Sequence, residues 1–390
     1  MAERQLTRAH HGHILTNSGV WSPCGEWIVY DTRSDPAGSV FDGTRIERVH
    51  TLTGEVELLY ESRNGACCGV ASYCPATGRV VFILGPEHPT PAWFYSTSRR
   101  QGMIWDEGQI VPLDARDLVA PFTPGAMRGG THLHSFNADG SLVAFTYDDF
   151  VLGEGNQRNV GVCVPGWVAV PKTHERNHDG THFSVLLTRT VAQPRPGTDE
   201  IGRASEEAWL GSRCLAFQGE TAGGVRELFV VDVPEDVRRA GEGPLEGTAL
   251  KRPVPPKGAE PRRLTHTADR KHPGLAGPRH WPRSQGGRIA CLMHDDAGLV
   301  QLWLATPTLR QLTRGVGIAS AFTWEGDRIA FVMGGSACLA DAESGAIRRL
   351  TERSDPAPRP EACVLSPDGR RVAFVRPVDG VNQVFVADAD

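Results

Sequence analysis

Short apolar runs recur along the chain, each entered through a small polar turn. Trp21–Gly25 leads into Trp27–Tyr30, Tyr73–Gly78 into Arg79–Leu84, and Phe136–Gly140 into Ser141–Tyr147. Gly211–Phe217 is a looser copy. Trp281–Gly287 leads into Arg288–Met293, Trp324–Asp327 into Arg328–Met333, and Leu365–Gly369 into Arg370–Val375. Gly, Asp, Asn and Pro supply the backbone geometry of a tight reversal, and apolar runs of this length between such turns read as strands. The repeat occurs seven times.

Each copy continues in the same way. Third strands are predicted at Glu227–Val233, Val300–Ala305 and Gln383–Asp388. Closing segments ending in Leu-Thr or a near variant follow: Arg4–Thr7, Glu57–Tyr60, Ile110–Asp114, Val185–Thr188, Arg263–Thr265, Gln311–Thr313 and Arg349–Thr351. Four strands per copy at a period of roughly 40–60 residues is the signature of a β-propeller blade. The predicted fold is therefore all-β, a seven-bladed β-propeller in one domain over residues 1–390. The chain opens on a closing segment and ends on a third strand, so the N-terminal strand is expected to complete the last blade and leave no open edge. Residues 234–261, rich in proline, are expected to be a solvated loop excursion. The stretch Asp199–Trp209 reads as a short helical turn, and Asp148 and Asp149 as turn residues.

Composition narrows the function. The 390 residues carry a net charge of −5, with 40% apolar and 22% charged side chains. That balance favours neither nucleic acid nor an anionic membrane. No run of about 18 apolar residues exists to span a bilayer, and the N-terminus lacks the apolar core of a secretory signal. The nine cysteines have no regular spacing, which reads as free thiols in a reducing cytoplasm rather than a disulfide framework. A nucleophile elbow, a phosphate-binding loop, a dinucleotide fingerprint, CxxC and HExxH are all missing.

Candidate chemistry gathers on the links between blades, residues 8–20, 61–72, 115–135, 189–212, 266–283, 314–323 and 352–364. Eight of the 14 histidines fall there. His132 and His134 stand two apart on a predicted strand, where alternate residues share a face, so both imidazoles are expected to converge as a metal half-site or an acid/base pair. His13 on the first link and Glu206 in the fourth offer further ligands. His280, flanked by Arg279 and Arg283, and His182, at the head of a strand, are the remaining candidates for catalysis, the arginines suiting a carboxylate.

The S-P-D-G turns and Leu-Thr closing segments resemble the TolB-type propeller repeat. The stretch from Thr131 to Thr146, THLHSFNADGSLVAFT, resembles the last-blade segment of the oligogalacturonate lyases, which are seven-bladed propellers. That resemblance implies His132 and His134 as ligands of a Mn(II)-type ion. It departs at Gly129, where those lyases carry a glutamine ligand, and it places the motif in the third blade rather than the last. Over the whole chain, LTNSGVWSPCGEWIVYDTR, GGTHLHSFNADG, DEIGRASEEAWLG and PRHWPR resemble a bacterial TolB-like propeller family, domain of unknown function 3748. The expectation is a cytoplasmic, metal-dependent carbohydrate-active enzyme, a lyase working by β-elimination on a small oligosaccharide or uronate. His132, His134, His13 and Glu206 would hold a divalent ion, His182 or His280 would move the proton, and Arg279 or Arg283 would orient the acid. The alternative is a non-catalytic propeller serving as a binding platform for a protein or ligand, which has no need of histidines clustered on the links.

Overall fold

Second strands of the repeat are apolar without alternation because both of their faces are covered. Val80–Leu84 and Val143–Asp149 are buried throughout, and Trp27–Arg33 is buried after its first residue. Most fourth strands are far less covered: in Val56–Glu61 no residue is fully buried, while Gly180–Leu186 stays mostly buried. Burial thus falls across most of the sheets from the second strand to the fourth, as the sequence pattern requires.

The computed structural model describes residues 3–35, 38–153, 155, 157–277 and 283–390. Seven four-stranded antiparallel sheets are formed, in chain order apart from one closure, together with a two-stranded parallel pair, Ala115–Arg116 with Ala126–Met127. This is the seven-bladed propeller class. The closure is the expected one: Glu3–Gln5 pairs antiparallel with Val381–Asp388, Glu3 opposite Ala387 and Gln5 opposite Phe385.

The chain divides into two compact units. The first comprises Met1–Arg63, Cys67–Gly78 and Arg270–Asp390. It holds the blade starting at Gly12–Ile14 and those starting at Arg283–Gln285, Thr323–Glu325 and Cys363–Leu365. Phe322, Phe331, Leu302 and Leu292 centre one of its cores, Phe374 and Phe385 another. The second unit comprises Asn64–Ala66 and Arg79–Asp269. Its blades starting at Gly129–Phe136 and Arg203–Trp209 share a core around Phe217, Phe229, Val160 and Leu215.

Three local readings change. Asp199–Trp209 is not helical: Glu200 pairs with Arg195 in a turn, and Arg203–Trp209 is the first strand of the fourth blade. The bulge at Glu206 breaks the period-2 alternation by which a strand is recognised in sequence. Asp148 and Asp149 are not turn residues. They end the second strand of the third blade, 3% and 0% exposed, paired with Arg158 at 2.8 Å and Arg128 at 2.9 Å. Segment 234–261 carries no strand among its described residues, yet Val237 and Leu245 are buried in the core of the second unit.

Candidate functional site

In the first unit, His13 lies on the strand Gly12–Ile14, opposite Thr32 on Trp27–Arg33. Glu47 lies on the third strand of the same blade, opposite Tyr30. Pairing across three adjacent strands brings Tyr30, Glu47 and the two histidines His11 and His13 together. The His13 ring stands 4.8 Å from the His11 ring and 4.9 Å from the Tyr30 ring. One nitrogen from each histidine and one Glu47 oxygen lie within 4.8 Å of one another.

The hydrogen bonds fix the protonation of this group. His13 Nδ1 is 2.8 Å from the carbonyl oxygen of Asn382. A carbonyl only accepts, so Nδ1 carries the proton and Nε2 presents its lone pair. That Nε2 is buried and has no protein hydrogen-bond partner. Burial lowers the His13 pKa to about 4, so the ring is neutral at pH 7. Tyr30 Oη donates to Glu47 Oε2 at 2.8 Å, and Arg45 lies 3.1 Å from Oε1. Burial raises the Glu47 pKa, but the nearby His11, 3.7 Å away, the hydrogen bond from Tyr30 and the Arg45 charge outweigh this and hold it below the ordinary range. The set is two neutral-capable imidazoles and one carboxylate, and one imidazole is oriented by a backbone carbonyl, as metal-ligating histidines commonly are.

In the second unit, the strand Gly129–Phe136 pairs with Val143–Asp149. His132 is opposite Thr146, and Ser135 is opposite Ala144. Three steps on one strand therefore match two on the other. Leu133, at φ 57°, is in the left-handed region and marks the bulge. The inserted residue breaks the strict alternation on which the expected shared face rested, but the two imidazoles stay within reach of each other: beyond burial, the Arg100 charge lowers both pKa values, and His134 is among the groups that lower that of His132. His134 falls on the side of Phe145, with ring centroids 6.4 Å apart. His132 falls with Thr146, its Nδ1 3.4 Å from the Thr146 carbonyl oxygen.

Two buried acids lie in this region. Asp114 Oδ1 and His134 Nε2 both lie 2.7 Å from where a Cβ on Gly102 would stand, so only glycine admits the pair there. Burial raises the Asp114 pKa to about 6 and lowers that of His134 to about 3. On the other side, Thr146 Oγ1 donates to Glu207 Oε2 at 2.6 Å, while Oε1 is buried without a partner. Burial pushes Glu207 up to about 8, so it is mostly protonated at pH 7.

The remaining expected residues lie as follows. Glu206 is itself a bulge residue, φ 58°, with Ser205 opposite Gln218 and Ala208 opposite Ala216. His182 is on the fourth strand of the third blade. Thr181 Oγ1 gives its proton to the Pro112 carbonyl and accepts from His182 Nδ1 at 2.9 Å. Its Nε2 therefore holds a lone pair, and burial lowers its pKa to about 4. Arg283 opens the strand Arg283–Gln285, opposite Ala290. Arg279 and His280 lie outside the described residues. Among the described residues, His11, His13 and Glu47 are the group of three whose ligand atoms converge. Of these, sequence reasoning chose only His13. His11 was visible as part of HHGH, but Glu47, in the ordinary strand RIERVH, carries no signal of its own.

The comparisons agree with this architecture. A relative from Escherichia coli (strain K12), the "Uncharacterized protein YidR", is 44% identical over 100% of this chain and 97% of its own length. The family of proteins of unknown function DUF3748 matches residues 67–178. The chain belongs to the DUF3748 family. The segment matched contains Gly102, Asp114, His132 and His134 of this DUF3748 protein. Among solved structures, an oligogalacturonate lyase in complex with manganese superposes with a TM-score of 0.62 at 10% identity, covering 100% of this chain and 93% of the lyase. The oligogalacturonate lyase of Vibrio parahaemolyticus gives 0.57 at 10% identity and the same coverage. The β-propeller domain of the Trilobed protease from Pyrococcus furiosus gives 0.53 at 9%, covering 97% of this chain and 96% of that domain. At these identities the likeness is one of fold. Among the described residues, no helix is long and apolar enough to cross a membrane.

Proposed function

We propose that this protein is a metal-dependent carbohydrate-active enzyme of the lyase type, with a divalent ion held by His11, His13 and Glu47. The observation that carries this is the buried, unpartnered Nε2 of His13, its lone pair set by the Asn382 carbonyl, beside a second imidazole and a carboxylate within 4.8 Å. Oxygen and imidazole donors of this kind suit Mn(II) or Zn(II). When bound, such an ion would polarise a sugar carboxylate and acidify the neighbouring C–H.

The chain's own contribution is orientation. Asn382 holds the His13 ring, and Tyr30 holds one Glu47 oxygen while Arg45 faces the other. The fold shared with an oligogalacturonate lyase that binds manganese supports the reaction class, and a small acidic oligosaccharide is the substrate proposed.

Elemental analysis of untagged protein tests the ion, comparing wild type with His13→Ala and Glu47→Gln. A near-stoichiometric divalent metal that both variants lose is expected. A metal-free wild type, or full occupancy in the variants, would end the proposal. The reaction is tested by ultraviolet absorbance of unsaturated products from uronate oligosaccharides, which should appear in wild type and vanish with EDTA.

A further inference from the structure

The second unit contains a concentration of guanidinium groups that its acids do not balance. Trp93 is 6% exposed and lies under three of them: Arg99 at 5.1 Å, Arg176 at 5.6 Å and Arg116 at 5.9 Å from the ring. Arg99 also covers Phe94 at 4.8 Å and Phe150 at 5.6 Å. Arg100 stands over Tyr95 at 5.3 Å and donates from Nε to its hydroxyl at 2.9 Å. Arg116 donates to the carbonyl oxygen of Arg100, tying the group together.

Like charges this close repel, and each needs either an acid or water to stabilise it. Arg176 has Glu175 at 3.2 Å and two backbone carbonyls. Arg99 and Arg100 form no ion pair with a carboxylate among the described residues. Arg116 has only Asp114, whose charge burial opposes. Three guanidinium nitrogens here are buried with no acceptor in the protein: Arg99 Nε, Arg100 Nη1 and Arg116 Nε. Buried donors without acceptors are uncommon enough to call for an explanation. Stacking on aromatic faces stabilises the cations but does not satisfy in-plane N–H groups.

We propose that the Arg99–Arg100–Arg116 group is an anion-binding site for a carboxylate-bearing sugar. The planar forks match a carboxylate bidentately. Phe94, 54% exposed, and the half-buried Tyr95 offer ring faces beside it for the apolar face of a pyranose. Arg99 and Arg100 keep part of their side chains open to solvent, while Arg116 and the three unpartnered nitrogens are buried, so a ligand would enter past Arg99 and Arg100. The site lies within one unit, and it requires no metal at His11, His13 and Glu47.

The test is calorimetric titration of the full chain with glucuronate, glucose and inorganic phosphate, each with and without EDTA. Glucuronate should bind, glucose should not, and phosphate should bind more weakly than glucuronate. EDTA should change none of this, which separates the site from the metal proposal. Arg99→Gln with Arg100→Gln should weaken glucuronate by about 10- to 100-fold, the range for losing hydrogen bonds to a charged group. Arg100→Lys alone, a milder change that keeps the charge but loses the fork, should give an intermediate loss. Equal binding of glucose, tighter binding of phosphate, or unchanged affinity in Arg100→Lys and the double variant would each overturn the assignment.

Discussion

His13 Nδ1 stands 2.8 Å from the backbone carbonyl of Asn382, and that one contact decides which face of the imidazole is basic. The carbonyl cannot be removed by a side-chain change, but the ring can. His13→Gln offers no equivalent lone pair in that position. Isothermal titration with Mn(II) should show at least a 10-fold weaker affinity in this variant, the loss expected when a ligand goes. Equal affinity would move the metal elsewhere.

Glu207 gives a pH dependence of unusual sign. Its folded pKa is raised to about 8, so between the ordinary carboxylate range and pH 8 the folded state binds more protons than the unfolded state. Its contribution to stability is present at low pH and is lost as pH rises through about 8. Glu207→Gln keeps an acceptor for the Thr146 hydroxyl but cannot ionise. Thermal melts from pH 5 to pH 8.5 should show a smaller decline in the variant than in wild type.

The buried histidines act in the opposite direction. His134 and His178 have pKa values lowered to about 3 by burial. Unfolding lets them take protons, so stability falls as pH drops from about 6.5 towards 3. His134→Phe removes one such group, and its urea midpoint should decline less between pH 7 and pH 4.5 than that of wild type.

Gly102 is predicted to reject even a methyl group. A Cβ there would meet Asp114 Oδ1 and His134 Nε2 at 2.7 Å and Leu113 Cδ2 at 2.9 Å. Gly102→Ala should cost about 1–3 kcal/mol by overpacking. Gly197→Ala, at an exposed position where a Cβ meets nothing within 4 Å among the described residues, serves as the control, although its positive φ adds a small cost of its own. Urea denaturation separates the two.

Arg128 and Asp149 form an ion pair that is 1% and 0% exposed. Asp149→Ala leaves a buried guanidinium without its carboxylate and should destabilise by about 3–5 kcal/mol. Replacing both partners with apolar residues should recover much of that loss, measured in the same denaturation series.

The blades were readable because each strand's partners are close in sequence and its turn residues are chemically explicit. The closure by Glu3–Gln5 was readable for the same reason: a fourth strand was missing at one end and present at the other. His132 and His134 were correctly found on one strand, but their common face depended on a parity that Leu133 breaks, and nothing in Leu marks a left-handed residue. Glu47 and Arg100 carried no sequence signal because the neighbours that single them out are not adjacent in sequence. Glu47 sits on a strand like any other half-buried strand, and only cross-strand pairing brings it near His13; Arg100 lies between a short 3₁₀ turn and a strand, and meets Arg116 through its backbone carbonyl.

The bulge at Leu133 recurs at Val70 and Glu206, at φ 59° and 58°, each on the first strand of its blade. Aligned on these residues, Gly69, His132 and Ser205 occupy one column, and Ala71, His134 and Glu207 another. In the blade carrying Val70 both positions are small, and Asp31 fills the space instead, accepting from the Val70 and Ala71 backbone N–H groups. The extra residue thus turns a structural repeat into a cassette with two sockets flanking one left-handed residue. Either socket can be loaded with an imidazole, an acid or nothing, so chemistry can be exchanged between blades by point substitution while the frame stays constant.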